Sequence, residues 1–255
     1  MFGSLSLGQH LAFIGCVALA TYIQNLTGFA FGLVLLGLVG AMRIASLPVT
    51  ANVVTIMVLV NAVMVVRRRP QLPGRSLELI LGTSLIGVAC GVWMLTWMST
   101  NASNVLRLAL GAAIVVCSFL LVARTRKRES MSGPLAFAGY AGLSGVMGGI
   151  FASAGPPMVF HMYRQPLEAQ TIKETLVLLF AVNAVLRLIM VVSQRHFDDA
   201  SIALSLEALP VVLGLTWCAR RYPPGWSPTV VRRVVFALLL GAGTSLVVPA
   251  LTALR

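Results

Sequence analysis

Apolar residues run with no recurring polar face over 9–42, 48–66, 77–98, 104–123, 134–163, 172–194, 202–221 and 230–252. A surface helix of a soluble protein alternates an apolar stripe with a charged face. These runs show no such alternation, and six of them are close to the roughly 20 residues that cross a bilayer as a helix. The first and the fifth are too long for one crossing, and both are interrupted. The first carries QNLTGFAFG at 24–32, with Gln24, Asn25 and Thr27 beside Gly28. The fifth carries GGIFASAGPPMVF at 148–160, with Ser153 and Pro156 near Gly149 and Gly155. The pattern predicts an all-α integral membrane protein with two broken segments.

Composition agrees. Of the 255 residues, 58% are hydrophobic and 10% charged, and the mean hydropathy is +0.92; soluble domains carry about 25% charged residues. The net charge of +12, from 19 Lys and Arg against 7 Asp and Glu, sits in short loops between apolar runs. It therefore reads as an orientation signal rather than a nucleic-acid surface. The four cysteines, Cys16, Cys90, Cys117 and Cys218, lie in apolar runs without CxxC spacing, so neither a metal site nor a disulfide framework is expected. HLAFIGCVALA (10–20) has the small residues of a signal peptide but no basic leader, and is read as the first membrane segment. No GxSxG, HExxH or Walker A pattern occurs; enzyme chemistry, ATP use and cofactors are not expected.

The two halves resemble each other. LVNAVMVV (59–66) matches AVNAVLRL (181–188), pairing Asn61 with Asn183, and the broken segments precede them at equal offsets. This divides the chain into a first repeat (1–123), a basic linker (124–133) and a second repeat (134–255). Eight plain crossings would scatter the basic loops 67–75, 124–130 and 220–233 over both sides. If each long run is instead a re-entrant hairpin, all three loops share one side, the cytoplasmic one, and both termini face the other. Each half then holds a hairpin and three spans, an odd number, so the repeats are inverted as in many secondary transporters.

Breaking a helix at membrane depth exposes its ends. N-termini present free N–H groups and a partial positive charge, which together suit an anion. Glycine allows close approach, and proline tolerates the first turn of a helix. The breaks at 24–28 and 153–157 are expected to meet near the midplane and hold a small anion. Single glycines such as Gly32 and Gly145 read as packing positions. Asn61 and Asn183 either bridge helices or contact substrate. Arg187 lies four residues after Asn183, on the same face; it either attracts the anion, reaches an interface or pairs with an acid. Three residues are candidate proton carriers: His161, Glu174 and Glu207. For each, an interfacial or packed position is the plainer alternative.

QNLTGFAFGLVLLGLV and GLSGVMGGIFASAGPPMVFHMY resemble the two motifs of the TauE/SafE, or sulfite exporter, family of membrane transporters. The resemblance covers nearly the whole chain. It implies transport, by export, of a small sulfur-containing anion such as sulfite or an organosulfonate across a bacterial inner membrane. It also implies roles in the site for Asn25, Thr27, Gly28, Gly149, Ser153, Gly155 and Pro156. Two prolines follow the second break where the family usually has one. The residue reading arrives separately at an anion carrier working by alternating access, possible partners being protons and the lipid bilayer. An anion channel and a carrier of a non-sulfur organic anion are its alternatives.

Overall fold

A computed structural model of the chain describes residues 6–27, 29–65, 74–122, 128–222 and 227–252. The basic stretches at 66–73 and 123–127 lie outside the described residues, as do 223–226 and Gly28. The described residues form ten helices and no strand: α1 (Leu7–Thr27), α2 (Phe31–Ala41), α3 (Leu47–Val65), α4 (Gly74–Asn101), α5 (Ser103–Val122), α6 (Pro134–Phe151), α7 (Gly155–Tyr163), α8 (Ala169–Ser193), α9 (Asp199–Arg221) and α10 (Pro228–Thr252). Helices satisfy every backbone group internally, which a bilayer demands. Seven of them, α1, α3, α4, α6, α8, α9 and α10, are long and apolar enough to cross a membrane. Large apolar side chains such as Trp93, Trp97, Phe119, Leu135 and Trp217 remain exposed on the outside of the bundle, where lipid would cover them.

Both long runs double back. Cys16, midway along α1, lies with its Sγ 3.8 Å from Met42 Sδ, just past the end of α2; the second arm therefore returns along the first. The second run closes more tightly. His161 on α7 stacks on Tyr140 of α6, Ser144 Oγ donates to the Ala154 carbonyl, and Gln165 Oε1 accepts from Ser132 N at 2.9 Å. The first break, however, begins only after Thr27. Gln24, Asn25 and Thr27 stay helical, because short polar side chains can bond to the carbonyl one turn back. Asn25 Nδ2 donates to Thr21 O at 3.0 Å and Thr27 Oγ1 to Ile23 O at 2.8 Å. In the second break Ala152 takes a left-handed conformation (φ 51°), which ends α6 and turns the chain.

The helices pack in reciprocal pairs across the two halves: α4 on α6 and α9 on α1, α4 on α8 and α9 on α3, then α3 against α8 and α5 against α10. One apolar core joins Ile80 of α4 with Phe137 of α6, Met158 of α7 and Leu179 of α8. A larger one joins α1, α2 and α3 with α5, α9 and α10 and takes in Leu95 and Met98 of α4 and Ile150 and Phe151 of α6. The α4–α6 contact is the closest. Two GxxxG patterns, Gly87/Gly91 and Gly145/Gly149, face each other and bring the backbones together. A side-chain carbon would lie 2.3 Å from Gly142 O at Gly87, 2.1 Å from Ser84 O at Gly145 and 2.4 Å from Val88 O at Gly149.

Because backbone cannot yield as a side-chain tip does, Gly145→Ala is expected to destabilise the protein by about 3 kcal/mol or more, the upper end for overpacking. Gly139, on the same helix, has nothing within 4 Å of its added carbon, and Gly139→Ala should leave stability unchanged or raise it. Thermal unfolding of the purified variants, followed by size-exclusion fluorescence, makes the comparison.

Candidate functional site

The two breaks meet. A side-chain carbon at Gly32, in the first turn of α2, would touch Ser153 Cβ at 3.0 Å, and one at Gly155, opening α7, would touch the Phe29 ring at 3.1 Å. Each break thus rests on a glycine of the other. Between them and the crossing of α3 with α8 lies a partly open cavity. Gln24, Asn61, Ser153, Gly155, Asn183 and Arg187 all line it. α3 and α8 pass antiparallel here. Asn61 and Asn183 share the cavity, Thr55 meets Arg187 four residues further along α8, and Asn52 reaches the His196 carbonyl beyond the end of α8.

Arg187 is the main charge in this wall. It is 1% exposed. Its Nε donates to Gly149 O at 3.1 Å, and its Nη1 donates to Thr55 Oγ1 at 2.6 Å, Asn52 Oδ1 at 3.2 Å and Ala51 O at 3.3 Å. All four acceptors are neutral, and no carboxylate lines the cavity among the described residues. A buried charge costs several kcal/mol unless something opposes it. Here the hydrogen bonds are largely supplied and the counter-charge is not.

Among the described residues, two buried side-chain polar atoms lack a partner: Arg187 Nη2 and Ser153 Oγ. Both belong to residues of the same cavity. Such atoms are uncommon, since burying an unpaired donor costs on the order of 1–3 kcal/mol. The starts of α2 and α7 add to them. Their N-caps, Ala30 and Ala154, make no side-chain capping bond, so the first-turn N–H groups of Phe31 and Gly32 have no cap. Pro156 and Pro157 have no N–H, which leaves Gly155 as the first-turn donor of α7. Each helix end contributes a partial positive charge of about half a unit. An uncompensated guanidinium, an unpaired hydroxyl and two helix N-termini converge on one space, an arrangement that suits an anion.

The remaining expected residues fall elsewhere. Asn25 and Thr27 bond back to their own helix and do not line the cavity. Gly149 serves twice, as part of the α4–α6 contact and as an acceptor for Arg187. Pro156 is buried in the first turn of α7. Asn183 borders the cavity while its Nδ2 donates to Ser84 Oγ at 2.7 Å, so it both bridges helices and faces the space. Asn61 is half-buried and makes no side-chain hydrogen bond with other described residues. His161 packs between Phe137 and Tyr140 at the base of the second hairpin. Glu174 accepts from Gln170 at 2.7 Å, and Glu207 meets His10 Nδ1 at 2.9 Å across α9 and α1. None of these three lines the cavity. Asn52 and Thr55, which hold Arg187, were not singled out in the sequence. Their signal was two polar residues three apart in an apolar run, one helix face.

A family model described as Sulfite exporter TauE/SafE matches residues 13–246. The chain is 32% identical over 234 residues to a protein of Cupriavidus necator named "Probable sulfite/organosulfonate exporter TauE", covering 91% of each chain. No solved structure matches it. With the match running from α1 into α10, and with seven helices fit to span a membrane, the chain belongs to the TauE/SafE sulfite exporter family, a family of multi-pass membrane transporters rather than enzymes.

Proposed function

We propose that the protein exports sulfite or a small organosulfonate by alternating access, with the anion held between Arg187 and Ser153. The observation that carries this reading is the pair of unpaired buried donors, Arg187 Nη2 and Ser153 Oγ, in a cavity without a carboxylate. The family and the name of the relative supply the sulfur chemistry. A sulfonate or sulfite head presents several acceptor oxygens and a negative charge, which these donors match. Phe29, Phe31 and Phe180 in the same wall offer apolar surface to a short organic tail.

The repeats 1–123 and 134–255, joined by the basic 124–133 stretch, are read as inverted. Support comes from α3 and α8, which hold corresponding positions in the two halves yet pass antiparallel. A two-fold axis lying across these helices relates such a pair, and in a bilayer that axis lies in the membrane plane. Placing the basic loops in the cytoplasm of a bacterial inner membrane puts both termini outside.

The moving bodies are not the repeats as they follow in sequence. α4 is packed into the second half, against α6 and α8, and α9 into the first, against α1 and α3. One body is then α4 with α6, α7 and α8; the other is α1, α2, α3 and α9, with α5 and α10. The cavity lies between them, with Arg187 and Ser153 on one side and Gly32, Thr55 and Asn61 on the other.

Flux of sulfite, sulfoacetate, taurine and sulfate in proteoliposomes, with and without a pH gradient, tests the reading. Saturable movement of a sulfur anion is expected, and flux that rises linearly without saturating would favour a channel. Arg187→Gln should weaken anion affinity by about 30-fold or more, since loss of a buried charged partner costs roughly 2–5 kcal/mol. Arg187→Lys should recover only part of it, lacking the planar fork.

Ser153→Ala separates binding from folding. Removal of an unpaired buried hydroxyl should leave the unfolding temperature unchanged or higher, while affinity falls about tenfold or more, the worth of one hydrogen bond to a charged group. Thermal shift measured with and without the transported anion reads both effects. A fall in stability without loss of affinity would remove Ser153 from the site.

A further inference from the structure

The polar cluster around Arg187 does more than occupy a wall of the cavity. Arg187 Nη1 bonds Thr55 and Asn52 on α3, and Asn52 Nδ2 continues to His196 O and Ser201 Oγ, each at 3.1 Å. Ser201 Oγ in turn donates to Asp198 Oδ1 at 2.6 Å, and Asp198 caps α9. Asn52, Thr55, Arg187 and Ser201 are each no more than 2% exposed. The cluster thus ties α8, α3 and the start of α9 together at one end of the cavity.

The other end is different. Moving away from Arg187, the cavity-lining residues change from buried (Thr55 on α3; Asn183 and Ala184 on α8) to half-buried (Val58 and Asn61; Phe180 and Val177), with Ala62 beside Asn61 still buried. This gradient on α8, with the Arg187 cluster at the other end, points to a closed end at the α8–α9 turn and a mouth toward the end of α3 and the start of α8. The pairing of Asn61 with Asn183 sets Val65 against Arg187, Glu174 against Asn52 and Val177 against Thr55. Among the described residues no matching cluster is found at the open end, where Glu174 accepts from Gln170 on its own helix.

The cluster also crosses between the two bodies. Arg187 Nε is anchored to Gly149 within its own body, while Nη1 reaches Asn52 and Thr55 on the other. We propose that Asn52 and Thr55 are positioning residues that turn Arg187 Nη2 into the cavity, and that the same cluster is the closed gate at the α8–α9 end. Its acceptors are neutral, so parting them strands no buried carboxylate. An anion on Nη2 supplies the charge that Asn52 and Thr55 do not, and frees Nη1 to leave them. The gate then opens when the carrier is loaded. This rests on the transport reading above.

The test uses the full-length protein with Cys16, Cys90, Cys117 and Cys218 replaced and a single reporter, Val58→Cys, in the cavity wall. A membrane-impermeant maleimide is applied to vesicles of each orientation. With the cluster intact, labelling is expected from the face bearing the α3–α4 loop and not from the α8–α9 face. Thr55→Val, which keeps the shape and removes the hydroxyl, should raise labelling from the α8–α9 face by about tenfold, as loss of a hydrogen bond to a charged group permits. Asn52→Ala should do the same, and Thr55→Ser should restore one-sided labelling. Equal labelling from both faces with the cluster intact would overturn the gate, and so would one-sided labelling in a folded Thr55→Val protein. Anion flux is measured on the same vesicles. One-sided labelling that Thr55→Val abolishes, in a protein that moves no sulfur anion, would uphold the gate and count against the substrate alone.

Discussion

A guanidinium buried without an acid is the interaction on which the rest of the site depends. Arg187 is shielded on every side, and its four hydrogen-bond acceptors are carbonyls, an amide and a hydroxyl. In a low-dielectric interior such dipoles spread the charge but do not cancel it. A carboxylate in the wall would have satisfied Arg187 and removed its reason to bind anything. Its absence from the described wall leaves a standing preference for an anion. The unpaired Ser153 hydroxyl and the helix starts sharpen that preference into a direction.

Placing such a group requires the unwound backbone on either side of it. Ser153 reaches the cavity because α6 ends at Phe151 and Ala152 turns the chain with a positive φ. Gly149, three residues earlier, uses its carbonyl to hold Arg187 and its lack of a side chain to admit α4. One short stretch thus sets the packing of two helices, the position of the cation and the position of the second donor. That economy explains why the break carries so many small residues. Gly149 meets the α4 backbone, and Gly155 meets Phe29 of the other break.

Much of this was legible in the sequence. The length of the two broken runs pointed to hairpins, and both runs do double back; the Asn61–Asn183 match paired α3 with α8, which border the cavity together. Gln24, Asn61, Ser153, Gly155, Asn183 and Arg187 were named and do come together. The polar run at 24–27 was overread as unwound backbone. Composition cannot say whether Asn25 and Thr27 cap a break or bond back within a helix, and here they do the latter. Asn52 and Thr55 were passed over because a lone Asn or Thr in an apolar run has many structural uses. Their partner lies more than 130 residues away, and only the antiparallel crossing brings it near.

The packing also limits how the molecule can move. Across the α4–α6 contact the backbones touch, with no side-chain layer that could slide or repack. α4 comes from the first half and α6 from the second, so relative motion of whole sequence halves would have to break the tightest contact in the molecule. The seam through the cavity is different. It is crossed by the Arg187 cluster, by the Gly32–Ser153 and Gly155–Phe29 contacts, by the side-chain packing of α3 on α8 and of Leu95, Met98, Ile150 and Phe151 on the larger core, and by the cavity. Interactions with neutral partners can exchange for water or substrate oxygens at little cost, whereas interdigitated glycines have nothing to exchange for. Motion should therefore follow the seam, carrying Arg187 with α6 and α8 and leaving Asn52 and Thr55 behind. In the proposed cycle Arg187 and Ser153 stay on one rigid body, Arg187 anchored through Gly149, while the other body alternately covers and uncovers them.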